Sequence, residues 1–338
     1  MMLFAWLSVA RAGGLWPVET GQTVESIAET LGDPGYAQVL RELNGLGPAE
    51  QPRIGRLLAY PDTASTSEQR AFLEAVLGEV SVAPRGGSPQ TAQRLVELPL
   101  GATVCTGPAS YALLQVATTC VDEAPESDEV VLWSETCATI RGVGATRAGR
   151  ATVVEVIRGS LVVADAGKAP GRVSVVAGAG VATGTGGFRV HLEPDEALRA
   201  EALTARLALL GDDRQVDLEA GQGARVLADG SIPSVVDLLG AGPLTSPDVG
   251  EPLRRGQFRW SPTPEAFGYR IALSADPEGK RQLHHQSVSR PVYTPEMLLL
   301  PVEPGEPIWW TVATLDRFGF LGVSSPRRPF GLPWEGAP

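Results

Sequence analysis

Residues 16–61 read WPVETGQTVESIAETLGDPGYAQVLRELNGLGPAEQPRIGRLLAYP, and this stretch decides the fold of the N-terminal part of the chain. A short extended segment and a turn precede Thr23, a residue type that commonly caps a helix. Two amphipathic helices follow, separated by Gly-Asp-Pro-Gly at 32–35. The second helix ends at Asn44-Gly45, and residues 54–61 return as a strand. The stretch therefore predicts a compact βααβ unit.

The order of short motifs in this unit resembles a LysM module. The motifs are G-x-T at 21–23, I-A at 27–28, L-x-x-x-N at 40–44 and G-x-x-L-x-x-P at 55–61. One position departs from the family pattern, because Gln22 stands where the family usually has an acidic residue. The resemblance implies binding of glycans that contain N-acetylglucosamine, chiefly peptidoglycan or chitin.

In that family the sugar lies in a shallow groove between two loops, the one before the first helix and the one after the second helix. The resemblance therefore implies a glycan-binding site formed by Gly21, Gln22, Thr23, Val24, Asn44, Gly45, Leu46 and Gly47. Backbone groups of such loops can bind the N-acetyl group, and small or apolar residues can pack against its methyl. An alternative is that these residues only form turns and helix caps.

Composition limits what the rest of the chain can be. The chain has 338 residues, of which 43% are hydrophobic, so two or three domains with real cores are expected. The 39 glycines and 28 prolines favour many short strands joined by turns. A net charge of −11 argues against nucleic acid and anionic lipid as partners.

The first 12 residues form a short apolar run that ends in Ala10-Arg11-Ala12. This pattern is typical of the end of a secretory signal peptide, so we interpret 1–12 as a signal-peptide remnant. The alternative is an apolar, frayed terminus. No other segment approaches the length of a membrane span. The expectation is an exported protein of the periplasm or cell envelope, without a membrane span.

Three cysteines, Cys105, Cys120 and Cys137, lie close together in the sequence. An exported protein would oxidise one pair, and we favour Cys120 with Cys137 because they flank an acidic insertion and a predicted strand. Cys105 would then be a buried thiol. The alternative is that all three are free, buried thiols. Their spacing does not indicate a metal site.

Residues 62–71 are polar and predict a linker, and from 72 to 236 one predicted strand follows another. This region resembles a FecR-type domain, a β-rich unit of the periplasm. The markers are LPLGATVCTGPAS at 98–110, RGSL at 158–161, GTGGFRV at 184–190 and AGQG at 220–223. We expect a turn at 158–160, and the alternating Leu and Ala of 203–209 favour strands over a helix for 196–210.

The founding role of the FecR family is to relay a signal to a sigma factor, through a cytoplasmic tail and a membrane span. A LysM-like unit occupies that place in this sequence, so the relay role is not carried over. The expectation is a β scaffold that presents a surface to an envelope protein or to the wall.

Residues 237–254 are rich in glycine and proline and predict a second linker. Residues 255–331 then resemble a fibronectin type III-like, Ig-like β-sandwich, with FRW at 258–260, AFGYRI at 266–271 and WTVATLDRFGFLG at 310–322. The predicted core of this sandwich consists of Trp260, Tyr269, Ile271, Trp310 and Val312. The fold class as a whole is therefore mainly β and multidomain: a small βααβ unit, a central β-rich unit and a C-terminal sandwich.

No motif for nucleophilic or metal-dependent catalysis occurs in the sequence. The pair His284-His285 and the single His191 lack ligand partners at a suitable spacing, and we expect them to be solvated. We predict no enzyme activity, no catalytic residue, no cofactor and no metal. Two hypotheses remain: a wall-associated glycan-binding protein, and a signalling or assembly adaptor in which the LysM-like unit is only structural.

Overall fold

A computed structural model describes residues 12–61, 69–118, 127–146, 149–164, 172–212, 214–249, 257–295 and 306–331. These residues form 26 strands and two helices, so the prediction of a mainly β protein is confirmed. Among them, no helix combines the length and apolar character that a membrane crossing requires. Of the predicted signal-peptide remnant, residues 1–11 lie outside the described residues, and Ala12 begins the first strand.

The N-terminal unit has the predicted βααβ order. Its elements are β1 (Ala12–Pro17), α1 (Val24–Leu31), α2 (Tyr36–Asn44) and β2 (Leu57–Pro61). The strands pair antiparallel, and the helices pack around a core that includes Trp16, Ile27 and Leu40. Thr23 caps α1 as predicted.

The central unit contains seventeen strands. They are β3 (Gln69–Leu77), β4 (Val80–Ala83), β5 (Gln90–Thr91), β6 (Val96–Leu98), β7 (Thr103–Thr106), β8 (Tyr111–Thr118), β9 (Ser127–Leu132), β10 (Cys137–Thr146), β11 (Gly149–Val163), β12 (Arg172–Ala177), β13 (Gly180–Gly184), β14 (Phe188–Leu192), β15 (Leu198–Ala202), β16 (Leu207–Leu210), β17 (Gln215–Leu218), β18 (Gln222–Val226) and β19 (Val235–Asp237). The helix-favouring stretch at 196–210 forms β15 and β16, so the predicted strands are confirmed.

These strands form two sheets that share β11 and enclose one hydrophobic core. The first sheet has the order β5-β4-β7-β10-β11-β12-β13-β16-β17. The second has the order β6-β3-β8-β9-β11-β14-β15-β18-β19. Alternate residues of strands such as β8, β14 and β15 belong to the shared core, as expected for packed sheets.

Strand β11 passes from one sheet to the other, and the predicted turn at 158–160 is wrong. Gly159 has φ of +85°, and a Cβ there would lie 2.5 Å from Thr136 Oγ1. The first part of β11 pairs with β10 and β12, and the part after Gly159 pairs with β9 and β14. The glycine therefore bends a continuous strand and does not reverse the chain.

The predicted disulfide between Cys120 and Cys137 is also wrong. Cys137 is bonded to Cys105, and the two Cα atoms lie 4.1 Å apart. The reason is pairing, because Cys105 in β7 and Cys137 in β10 are directly opposite each other in an antiparallel register. Cys105 is therefore not the buried thiol that we expected, and Cys120 lies outside the described residues.

The C-terminal unit is a sandwich of two small sheets, β20-β21-β24 and β23-β22-β25-β26. Its strands are β20 (Leu244–Ser246), β21 (Phe258–Trp260), β22 (Gly268–Ser274), β23 (Gln282–Val288), β24 (Val292–Tyr293), β25 (Ile308–Leu315) and β26 (Arg328–Phe330). All five predicted core residues are buried between the sheets, so this prediction is confirmed.

Both predicted linkers contribute strands, which corrects their boundaries. Strand β3 begins at Gln69, within the predicted linker 62–71, whose residues 62–68 lie outside the described residues. In the second linker, 237–254, strand β20 pairs with β21, and Leu244 packs into the sandwich core. The high glycine and proline content of that segment predicted a linker. The strand within it was missed because it is only three residues long.

The two flanking units contact different sheets of the central unit. Leu15 of the N-terminal unit lies against Gly142 of β10, in the first sheet. The C-terminal unit packs its outer sheet face, including Ala313 and Leu321, against Tyr111, Leu113 and Trp133 beside the second sheet.

Candidate functional site

The two loops that the glycan-binding prediction names lie side by side in the N-terminal unit. The backbone N–H of Val24 donates a hydrogen bond to Gln51 Oε1 at 3.0 Å, which joins the start of α1 to the segment after α2. Gln51 Nε2 also donates to Glu25 Oε2 at 3.2 Å. An ion pair of 2.5 Å between Arg41 and Glu25 forms a second link between the helices.

The first loop is held by its own side chains. Gln22 Oε1 accepts hydrogen bonds from Trp16 Nε1 at 3.2 Å and from the backbone N–H of Glu19 at 3.0 Å. Thr23 Oγ1 accepts from the backbone N–H of Ser26 at 3.1 Å, which caps α1. Val24 is completely buried. Three of the four predicted site residues in this loop therefore have a role in folding.

Asn44, in the second loop, also has a role in folding. Its Nδ2 donates to the carbonyls of Leu40 and Ala59, each at 2.8 Å, and its Oδ1 accepts from the backbone N–H of Ala59 at 2.8 Å. The amide therefore links the end of α2 to strand β2. A side chain that satisfies its main hydrogen-bonding capacity in this way has little left for a ligand.

The remaining residues of the second loop combine a helix cap with an internal turn. Gly45 ends α2 in the left-handed conformation, with φ of 63°. Leu46 is 8% exposed and packs in the core of the unit. The backbone N–H of Gly47 donates to Glu50 Oε2 at 3.0 Å, and the carbonyl of Gly47 accepts from the backbone N–H of Glu50 at 3.1 Å.

Two glycines leave open space beside the two loops, and we refer to this space as the floor of the candidate groove. A Cβ added at Gly21 or at Gly45 would meet no atom of the described residues within 4 Å. Both are exposed. The Nε2 group of Gln22 makes no hydrogen bond within the part of the chain that the structure describes. A ligand could therefore approach the backbone of both loops and find one amide donor there.

The polar residues that join the loops were not predicted. Glu25, Arg41 and Gln51 are far apart in sequence, and no motif spacing pairs them. A hydrogen bond from the backbone and those from Arg41 and Gln51 lower the pKa of Glu25 to about 2, so this carboxylate is ionised at neutral pH. Only the packing of α1 on α2 and the return of the chain after α2 bring the three side chains together.

The central unit borders the first loop and the turn before β2. The backbone N–H of Thr20, next to Gly21, donates to Gln215 Oε1 of β17 at 2.8 Å. A Cβ at Gly55 would lie 3.3 Å from the carbonyl oxygen of Gly211. Glu19 forms an ion pair with Arg172, whose guanidinium lies 5.8 Å from the centre of the Trp16 ring. The candidate groove therefore has a neighbouring wall that an isolated module would lack.

The three histidines were predicted to be solvated, but each is half-buried and contacts a neighbouring hydroxyl group. His285 Nδ1 is 2.9 Å from Tyr111 Oη, and its ring centre lies 5.3 Å from that of Trp133. His284 Nε2 is 2.9 Å from Tyr293 Oη, and His191 Nδ1 is 2.6 Å from Ser160 Oγ. Burial lowers the pKa of His285 and that of His191 to about 4, so both rings are neutral at pH 7.

Across the described ranges, no group of three or more His, Cys, Asp or Glu side chains could hold a metal ion. Comparison with models of protein families finds no match for this chain. Comparison with curated proteins finds no match either.

Proposed function

We propose that this protein binds N-acetylglucosamine-containing glycan, in the first place peptidoglycan, through the groove between the two loops of its N-terminal unit. The observation that carries the proposal is the hydrogen bond between Val24 and Gln51, which joins the first predicted loop to the segment that follows the second. The protein would act without catalysis, in the periplasm or cell envelope, and its two larger β units would present surfaces to an envelope protein.

The chemistry of the groove suits a neutral sugar. The open floor at Gly21 and Gly45 lets a pyranose ring approach the backbone closely. The Nε2 group of Gln22, which has no acceptor among the residues that the structure describes, can donate to an acetamido carbonyl. Because most other polar groups there are already paired, one module offers few contacts, and weak binding is expected.

A second candidate function is that of an adaptor in which the N-terminal unit is only structural. The observation in its favour is the internal use of Asn44, whose amide ties α2 to β2 by three hydrogen bonds. The contact of Thr20 with Gln215 also fixes the unit against the central sheet. These interactions account for the presence of the motif residues without requiring a ligand.

Co-sedimentation of the full chain with purified peptidoglycan tests the first proposal. Asparagine tolerates the left-handed conformation, so the double variant Gly21→Asn and Gly45→Asn adds side chains to the floor of the groove while preserving the backbone. Gly86 and Gly221 are the matched control, because they also have positive φ and no atom within 4 Å of an added Cβ. Blocking the floor should weaken binding about tenfold, or by roughly 1.4 kcal/mol.

Wild type and the variant with Gly86→Asn and Gly221→Asn should sediment equally. The glycan proposal is wrong if the wild-type chain stays in the supernatant at low salt, and the adaptor candidate then remains. The glycan proposal is also wrong if the variant with Gly21→Asn and Gly45→Asn sediments as well as wild type, because the glycan would then bind at another site.

A further inference from the structure

A cavity of about 610 Å³ lies between the central unit and the C-terminal sandwich. One wall is the outer face of the second central sheet, with Val131 and Trp133. The opposite wall is the outer face of the sandwich, with Arg270 on β22 and Thr311 on β25. This volume is within the range of sites that bind small molecules.

The charges around the cavity are strongly unbalanced. Arg189, Arg270, Lys280 and Arg327 line it, and Glu278 is the one carboxylate among the described lining residues. Two of the cations are already neutralised. Arg189 pairs with Glu201 at 3.1 Å, and Lys280 pairs with Glu129 at 2.6 Å.

The other two cations, Arg270 and Arg327, have no hydrogen bond and no ion pair in the part of the chain that the structure describes. Their Nε atoms are buried without an acceptor. Asp276 and Glu278 act on Arg327 only through longer-range attraction. A guanidinium nitrogen that is buried without an acceptor has lost its hydration without compensation.

Arg270 lies over the indole ring of Trp133, with its Cζ atom 4.9 Å from the ring centre. Arg189 approaches the same ring at 5.4 Å. Burial and, after it, the positive charge of Arg189 together lower the pKa of Arg270 to about 10, while Glu201 opposes the shift. Arg270 is still charged at neutral pH, and the ring holds it at the cavity wall.

We propose that this cavity binds a small organic anion, whose carboxylate or phosphate group is held by Arg270, with Arg327 as a second cationic contact. The fork of an arginine matches both groups. The body of the ligand is apolar or aromatic, because Val131, Val162, Ala272 and the edge of Trp133 form much of the wall. The proposal is independent of glycan binding, which involves the opposite end of the chain.

A purely structural role of Arg270 makes a different prediction. We call the contact between the central unit and the C-terminal sandwich the junction. If Arg270 only stabilises the junction by stacking on Trp133, then anions do not bind, and replacing Arg270 weakens the junction. If Arg270 is a ligand-binding residue, the neutral replacement removes an uncompensated buried charge, and the ligand-free protein keeps its melting temperature.

Calorimetric titration of the full chain with isophthalate and with phenyl phosphate tests the proposal. Isophthalamide is the matched neutral probe, because it has the size and ring of isophthalate without its charge. The variants are Arg270→Gln, Arg327→Gln and, as a control, Arg259→Gln, since Arg259 is exposed on β21 and donates to Gln257 at 2.6 Å.

We expect saturable binding of at least one anion, weakened about tenfold or more by Arg270→Gln and unchanged by Arg259→Gln. If Arg270→Gln does not fold, the same loss in Arg327→Gln supports the site. The proposal is overturned if neither anion binds to wild type, if isophthalamide binds as tightly as isophthalate, or if both cavity variants bind like wild type.

Discussion

The groove of the N-terminal unit and the cavity beside the C-terminal sandwich satisfy their polar groups in opposite ways. In the groove, Gln22, Thr23 and Asn44 all make hydrogen bonds inside the unit. In the cavity, Arg270 and Arg327 are half-buried, and their buried Nε atoms have no acceptor among the described residues.

Folding alone explains the hydrogen bonds of the groove residues, but it does not explain the arginines of the cavity. The motif residues of the groove would be needed to form the βααβ unit even if no sugar ever bound. The two arginines make no hydrogen bond to the described residues that would stabilise the contact between the units, and the desolvation of their Nε atoms opposes folding. The less conspicuous site in the sequence is therefore the one whose chemistry calls for a ligand.

The largest expected effect concerns the buried ion pairs of the junction. Glu201 is fully buried, pairs with Arg189 and Arg199, and accepts a hydrogen bond from the backbone N–H of Leu321 at 2.9 Å. Glu201→Gln leaves the buried Arg189 without its counter-charge and leaves Arg199 with Glu193 alone, so the free energy of unfolding should fall by about 3 kcal/mol or more. Denaturant unfolding measures the loss.

Asp217→Asn is the control, because Asp217 pairs with an exposed arginine, Arg206. The change there should stay below about 1 kcal/mol. Equal losses in the two variants would mean that the buried ion pairs of Glu201 stabilise the protein no more than a surface ion pair does. The contrast between the cavity and the groove would then lose its basis.

Asn44→Ala tests the claim that the groove motif is structural. The variant loses three hydrogen bonds and leaves backbone groups of Leu40 and Ala59 without that partner, so a loss of about 2 kcal/mol is expected. Hydrogen exchange of β2 and α2 should report the weakening locally. Gln38→Ala, which removes only an exposed contact with Glu42, should leave the exchange unchanged. Normal protection in Asn44→Ala would contradict the structural role.

The junction should also respond to acid through His285. Its pKa is 6.5 in the unfolded chain and about 4 in the fold, mainly through burial and secondarily through Arg270 and His284. Protonation therefore favours the unfolded state. The stability is present above pH 6.5 and is lost as pH falls toward 4, by about 2 kcal/mol after allowance for solvent.

Denaturant unfolding at a series of pH values checks this dependence. In His285→Gln the slope between pH 6.5 and 4 should be shallower than in wild type. Burial also lowers the pKa of His191, so His191 contributes part of the pH dependence that remains in the His285→Gln variant. An identical pH profile in His285→Gln would show that the ring is not neutralised by its surroundings.

The smallest expected effect is that of Gly45→Asn on folding. The left-handed conformation suits asparagine and the space around the position is open, so the free energy of unfolding should change by less than about 0.5 kcal/mol. Thermal unfolding measures it. A large loss would mean that the floor of the groove is not open, and it would weaken the glycan proposal.

The N-terminal unit could be predicted almost completely from the sequence, because its structure depends on local features. The cap at Thr23 and the spacing of Ile27 and Leu31 act within one or two helical turns. The sandwich core around Trp260 and Trp310 was also predictable, since strands alternate their faces. The families to which these units bear a resemblance stay predictions.

The errors arose where residues distant in sequence determine the outcome. Cys137 bonds Cys105 because the register of β7 on β10 places them opposite each other, and sequence spacing alone favoured Cys120. His285 was expected in solvent because its own strand looks polar. The sheet that covers it comes from residues more than a hundred positions earlier, including Tyr111.

The sequence alone determined the mainly β class, the helix caps, the alternating core positions and the excess of negative charge, because each depends on neighbouring residues or on composition. The tertiary structure alone decided the disulfide, the bend at Gly159 and the gathering of Arg189, Arg270 and Arg327 around one cavity. Those arginines come from strands and loops of two units. Their charges meet only because the outer faces of two sheets pack together, and no local pattern records that packing.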